Sequence, residues 1–275
     1  MTTADVVELT GARLAFGDRT LWDDFDLTVR AGEFIAVLGP NGTGKTSLLK
    51  VLLGQVPLSA GSVTVAGETV TAGSRQIGYV PQHRSMDRGL SLRGADLVGL
   101  GYDGHRWGFA GWGAAARRAR RDAVSRALAQ VNGDALSHTS VGVMSGGELQ
   151  RVRVAQALVT DPVLLLCDEP LLNLDPANAN LISGLIDQRR RDAGTAVLFV
   201  THELDPVLPY VDRVVYLVDG RFRVGTVPEV MNSATLSQLY HADIEVLEIG
   251  GRYIVVGDQS QYQHHHCDRV EHPGE

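Results

Sequence analysis

The segment FIAVLGPNGTGKTSLLKVLLG, Phe34 to Gly54, constrains this chain more than any other. Its apolar start reads as a strand, and the apolar residues from Leu48 onward recur at helical spacing until Gly54 stops them. Between the two lie Gly39, Pro40, Asn41, Gly42, Thr43, Gly44, Lys45, Thr46 and Ser47, which satisfy the spacing Gly, any four residues, Gly-Lys-Thr. A strand, a glycine-rich loop and a helix start in that order aim backbone N–H groups at one anion. The glycines let those amides converge on phosphates, Lys45 supplies a point charge near the β and γ phosphates, and Thr46 offers a hydroxyl to Mg²⁺. Only Lys45 and Lys50 are lysines in the whole chain, so Lys45 is not one of many interchangeable surface charges. ATP with Mg²⁺ is the expected ligand.

The rest of the chain supplies a frame for that loop. VVELTGARLAF, DFDLTVRAGEFIAVLG, GSVTVAGETV and QIGYVPQ read as strands with turns between them. VLLLCDEP and TAVLFVTH are short apolar runs of the kind buried on both faces, so the core is expected to be a parallel sheet with alternating helices, an α/β fold. Residues 83–160 interrupt the alternation with an amphipathic helix over Ala114–Val131 and a second helix, GGELQRVRVAQALV, and are expected to form an inserted helical subdomain. The glycine-aromatic run from Gly101 to Gly113 reads as a surface loop. The ATP-binding core is then 5–82 with 161–230, followed by a helix and hairpin extension over 231–257 and a polar, loose tail over 258–275.

At 275 residues with a net charge of −7, the chain can bury a sizeable core and offers no broadly basic surface, so no nucleic-acid partner is expected. The arginines of 114–131 read as a solvated helix face. No window reaches a membrane span and the N-terminus carries no leader pattern, which points to the cytoplasm. Two cysteines, Cys167 and Cys267, give no disulfide framework, and Cys167 reads as a small buried thiol.

Two carboxylates close the strand VLLLCDEP. Asp168 is placed to hold the Mg²⁺ shell, and Glu169 to position or deprotonate a water for attack on the γ phosphate. His202 follows the next buried strand, and in a sheet of this order its strand end lies near those of Gly39 and Asp168, which suits a sensor of the γ phosphate. Gln82 and Phe16 are unremarkable by themselves. MSGGELQR, Met144 to Arg151, presents Ser-Gly-Gly before a helix, a second phosphate cradle in a chain that already has one.

GPNGTGKTS, YVPQ, MSGGELQRVRVAQAL, VLLLCDEP, NLD and VTH, in this order, resemble the ATP-binding subunit of ABC transporters over about residues 5–230. The resemblance implies an ABC-type P-loop ATPase core with an antiparallel β subdomain and the inserted helical one. It also implies roles that the residues alone did not show. Phe16 would stack on adenine, Gln82 would touch Mg²⁺ or the attacking water, and Asp175 would communicate across a dimer. Ser145, Gly146, Gly147 and Glu148 would face ATP held by a second copy of the chain, so the second cradle is half of a shared site. The remaining partners implied are a separate integral membrane permease at the cytoplasmic face of the membrane and, indirectly, a substrate-binding protein.

Two positions depart from the family's usual pattern: Met144 stands where leucine is common, and Glu148 where glutamine is. With YVPQHRSMDRGLSLRGADLVGLG and the C-terminal hairpin, the SGGELQR form resembles subunits of zinc, manganese or iron importers. Importers of other substrates, exporters, and soluble ABC-type ATPases acting on nucleic acid or ribosomes remain alternatives. A P-loop kinase is a weaker one, because the SGGELQR helix has no task in it. His264, His265, His266, Cys267 and His272 are ligand types, but adjacent side chains diverge in an extended chain, and a solvated tail is the plainer reading.

Overall fold

The computed structural model describes residues 5–82, 92–104 and 113–257. In chain order it contains β1 (Asp5–Phe16), β2 (Arg19–Arg30), β3 (Phe34–Leu38), α1 (Lys45–Leu52), β4 (Ala60–Val65), β5 (Glu68–Thr69) and β6 (Ile77–Val80). Three helices follow, α2 (Gly94–Asp103), α3 (Ala114–Gln130) and α4 (Gly146–Leu158). Then come β7 (Leu164–Asp168), α5 (Pro176–Ala193), β8 (Ala196–Val200), β9 (Arg213–Val218), β10 (Arg221–Gly225), α6 (Val227–Val230), α7 (Ser233–Tyr240), β11 (Ile244–Ile249) and β12 (Arg252–Gly257).

The strands form three sheets. One is antiparallel with order β2-β1-β4-β5, one has six strands in the order β10-β9-β3-β8-β7-β6, and β11 with β12 make a separate hairpin. In the six-stranded sheet β9, β3, β8, β7 and β6 run parallel and β10 returns antiparallel at the edge. Every residue of β3, β7 and β8 is buried, as expected of central parallel strands covered on both faces. Successive side chains divide between the faces. Phe34, Ala36 and Leu38 join the core shared with α4 and α5, and Phe34 stacks on Phe199 at 5.6 Å. Ile35 and Val37 join the core shared with α1 and the antiparallel sheet, where Trp22, Phe25 and Phe222 pack ring against ring.

The stretch DFDLTVRAGEFIAVLG divides at the turn Ala31–Glu33, with Gly32 at φ 72°, which sends β2 to the antiparallel sheet and β3 to the parallel one. One expectation is corrected: the glycine-aromatic run does not begin as loop, since Gly101–Asp103 close α2 against α4. Its residues 105–112 lie outside the described residues, as does the histidine-bearing tail.

The consequence for function is geometric. β3, β8, β7 and β6 are neighbours and parallel, so their carboxyl ends deliver the glycine-rich loop, His202, Asp168 with Glu169, and Gln82 to one edge.

Candidate active site

The loop after β3 is shaped by what crowds it. Gly39 has φ 134°, and a Cβ on it would lie 2.0 Å from the Leu217 carbonyl oxygen of neighbouring β9, so no other residue fits there. Gly44 caps α1 from the left-handed region at φ 100°, against the buried indole of Trp22. Lys45 is only 5% exposed and donates from Nζ to the carbonyls of Gly39 and Pro40 at 2.6 and 2.7 Å. Thr43 donates to the Pro40 carbonyl as well, at 3.0 Å. The ammonium is thus held inside the ring of the loop. Burial pushes its pKa down, while the charges of Glu169 and Asp168 oppose that shift.

The first carboxylate meets the loop directly. Thr46 donates from Oγ1 to Asp168 Oδ1 at 3.1 Å, and Tyr79 donates to Asp168 Oδ2 at 3.3 Å. Burial raises the Asp168 pKa, and the two hydroxyl donors work against it. Thr46 and Asp168 are hard oxygen ligands of the kind Mg²⁺ takes beside phosphates, and the residues fit that ion.

The second carboxylate gathers the remaining groups. Gln82 donates from Nε2 to Glu169 Oε2 at 2.7 Å, and His202 Nε2 lies 3.0 Å from the same oxygen. Glu169 itself holds a left-handed backbone at φ 48°, fixed by its N–H to the Val200 carbonyl at 3.0 Å. That conformation is costly for a side-chain-bearing residue and turns the carboxylate away from the line of β7. Cys167, one residue earlier, is fully buried, and burial followed by the Asp168 charge drives its thiol pKa far up, which makes it a packing residue.

Phe16 ends β1 at the tip of a hairpin and is 53% exposed, so it is not the core aromatic that its strand position alone would suggest. Across the hairpin Arg19 donates to the Gly42 carbonyl at 2.7 Å.

Ser145, Gly146, Gly147 and Glu148 start α4 in the helical part. Ser145 and Glu148 form a capping box: Ser145 N–H and Oγ both donate to Glu148 Oε2 at 2.8 Å, and Glu148 N–H returns a bond to Ser145 Oγ at 3.3 Å. These bonds hold the Glu148 pKa below the usual carboxylate range. Behind them Asp175 caps α5 by accepting from Asn178 N–H at 3.0 Å, while the Asn178 amide also donates to the Asp175 carboxylate. A Cβ at Gly147 would lie 2.3 Å from that Asn178 amide oxygen, so the glycine lets the start of α4 close on the cap of α5. Asp175 is therefore joined to the serine-glycine turn through Asn178.

A loop for phosphates, oxygen ligands for Mg²⁺, and a carboxylate flanked by an amide and an imidazole form an arrangement suited to water attack on a phosphoryl group. Residues 22–172 match the family model described as ABC transporter. The chain belongs to the ABC transporter family. It is an ABC ATP-binding domain, and the family's activity is ATP hydrolysis. The ABC domain is 38% identical over 220 residues to an aliphatic sulfonates import ATP-binding protein of Nocardia farcinica, covering 80% of this chain and 81% of the relative. It is 36% identical over 229 residues to a zinc import ATP-binding protein of Roseobacter denitrificans, covering 83% and 81%. Among solved structures, an inward-facing metal-chelate type ABC transporter superposes with a TM-score of 0.77 over 94% of this chain and 100% of that one. At 23% identity that likeness speaks for the fold.

The ABC domain brings together all the residues expected along the strand ends. Sequence reasoning missed Arg19 and Tyr79, whose bonds join distant segments and follow no local pattern, and Asn178, which bonds the Asp175 cap three residues away while its amide packs against Gly147 of a distant turn. The capping box was readable from Ser-x-x-Glu at 145–148.

Proposed function

We propose that this chain is the ATP-hydrolysing subunit of a divalent-metal importer, working as a head-to-tail pair beneath a separate membrane permease. The observation that carries the hydrolytic part is the convergence of Gln82 and His202 on one oxygen of Glu169, beside the Thr46–Asp168 pair. Gln82 and His202 hold the carboxylate through Oε2, and its other oxygen, Oε1, takes the proton of the attacking water. Lys45 and the loop amides of Gly39–Ser47 hold the β and γ phosphates, and Phe16 stacks on the adenine. Thr46, Asp168 and Gln82 would hold Mg²⁺, which when bound neutralises phosphate charge. His202, at the end of its own strand, reports the γ phosphate to Glu169 and donates a hydrogen bond as charge develops.

Ser145, Gly146, Gly147 and Glu148 form the other half of a site on a second copy, so two chains related by a two-fold axis enclose two ATP molecules. Asp175, tied to that turn through Asn178, links the two halves. Ser145→Arg is expected to leave the nucleotide Kd unchanged and to abolish cooperative turnover, with the Hill coefficient for ATP falling from about two to one. A Ser145→Arg protein with wild-type cooperativity would contradict the shared site.

No helix among the described residues is long and apolar enough to cross a membrane. The preference for a metal ion is supported by YVPQHRSMDRGLSLRGADLVGLG, by SGGELQR and by the likeness to the zinc import relative, while the sulfonate import relative supports an alternative cargo. Co-purified with its permease and reconstituted in vesicles, the complex is expected to take up Zn²⁺, Mn²⁺ or Fe²⁺ with ATP and to ignore an alkanesulfonate. The opposite selectivity would leave the ATPase reading intact and overturn the metal one.

A further inference from the structure

The hairpin that carries Phe16 is tied to the phosphate loop by a residue outside every recognised motif. Arg19 stands directly across from Phe16 in the β1–β2 register, after the two-residue turn Gly17-Asp18. Although Arg19 is exposed, its guanidinium reaches the loop and donates from Nη2 to the Gly42 carbonyl at 2.7 Å. The same nitrogen lies 3.4 Å from the point a Cβ on Gly42 would occupy, so the guanidinium rests against bare backbone. The two parts it joins belong to different sheets: Phe16 ends a strand of the antiparallel sheet, and the loop follows β3 of the parallel one.

We propose that Arg19 is a positioning residue that sets the gap between the Phe16 ring and the phosphate loop, and thereby the preference of the site for a nucleotide over a bare polyphosphate. The proposal rests on ATP occupying Gly39–Ser47 with its base on Phe16. Base and triphosphate are covalently joined, so the ring contributes affinity only when it stands at the span the nucleotide fixes. A planar guanidinium with fixed donor directions holds one such spacing, where a flexible ammonium holds it less well.

Binding of Mg-ATP and of magnesium tripolyphosphate to the full chain, followed by calorimetry, separates this role from its rivals. Arg19→Ala is expected to weaken ATP about fivefold to tenfold and to leave tripolyphosphate within about twofold, as the loss of one exposed, solvent-screened hydrogen bond predicts. In steady state KM for ATP rises by the same factor with kcat unchanged. Arg19→Lys recovers part of the loss, and in a Phe16→Ala background Arg19→Ala has no further effect on ATP. Equal weakening of both ligands would mean that Arg19 touches the phosphates itself, and unchanged ATP binding would mean that the spacing needs no latch. Either result overturns the proposal. If the wild-type chain bound tripolyphosphate as tightly as ATP, the failure would lie earlier, in the reading of Phe16 as a base platform. Because Arg19 is exposed, an unchanged thermal midpoint in both variants is expected to accompany these results.

Discussion

Glu169→Gln is expected to lower kcat by about 10²- to 10⁴-fold, the range for loss of a general base, with the Mg-ATP Kd nearly unchanged. The substitution keeps the shape of the side chain and leaves an amide oxygen to accept from Gln82 and His202, which lie 2.7 and 3.0 Å from the carboxylate now. What it removes is the acceptor for a proton. Single-turnover phosphate release beside calorimetric binding checks this, and a kcat within tenfold of wild type would exclude Glu169 as the base. With hydrolysis blocked and binding intact, the same protein is expected to run as a dimer in Mg-ATP and as a monomer without it. If it remains monomeric in both conditions, the shared-site model loses its support.

Lys45→Ala is expected to act on binding. Charge-assisted hydrogen bonds to phosphate are worth roughly 1.5–3 kcal/mol each, so loss of the ammonium weakens ATP by about a hundredfold or more. The loop suffers too, because the carbonyls of Gly39 and Pro40 lose their buried donor. Thermal unfolding separates the variants. At ATP one hundred times the wild-type Kd, ligand linkage adds about 2.7 kcal/mol to the wild type and about 0.4 kcal/mol to a variant weakened a hundredfold. Equal stabilisation of both would contradict the assignment of Lys45 to the phosphates.

The parts of this site that could be read from the sequence are those in which local pattern and chemistry coincide. Gly39–Ser47 sits between a strand and a helix, and Asp168 and His202 each follow a fully apolar run, so strand-end placement follows from parallel-sheet topology. The ends of α5 carry local signals too, Asp175 and Pro176 at its start and Gly194 at its stop, although Asp175 was marked by resemblance alone. Phe16 and Gln82 carried no such signal, and only resemblance marked them. Arg19 and Tyr79 escaped both kinds of reading, because their bonds to Gly42 and Asp168 span 23 and 89 residues. The left-handed backbone of Glu169 was invisible for another reason: glutamate has no preference for it, and the surrounding strands impose it.

The bond between Gln82 and Glu169 closes a separation of 87 residues, and β6, β7, β8 and β3 must all be docked in the sheet before the groups they carry can meet. Contacts of such high order form late, since loop-closure entropy is lost before any pairing compensates it. On the function proposed above, hydrolytic competence is then among the last properties expected to appear as this chain folds, because a glycine-rich loop without the docked strands lacks the Gln82–Glu169 pair.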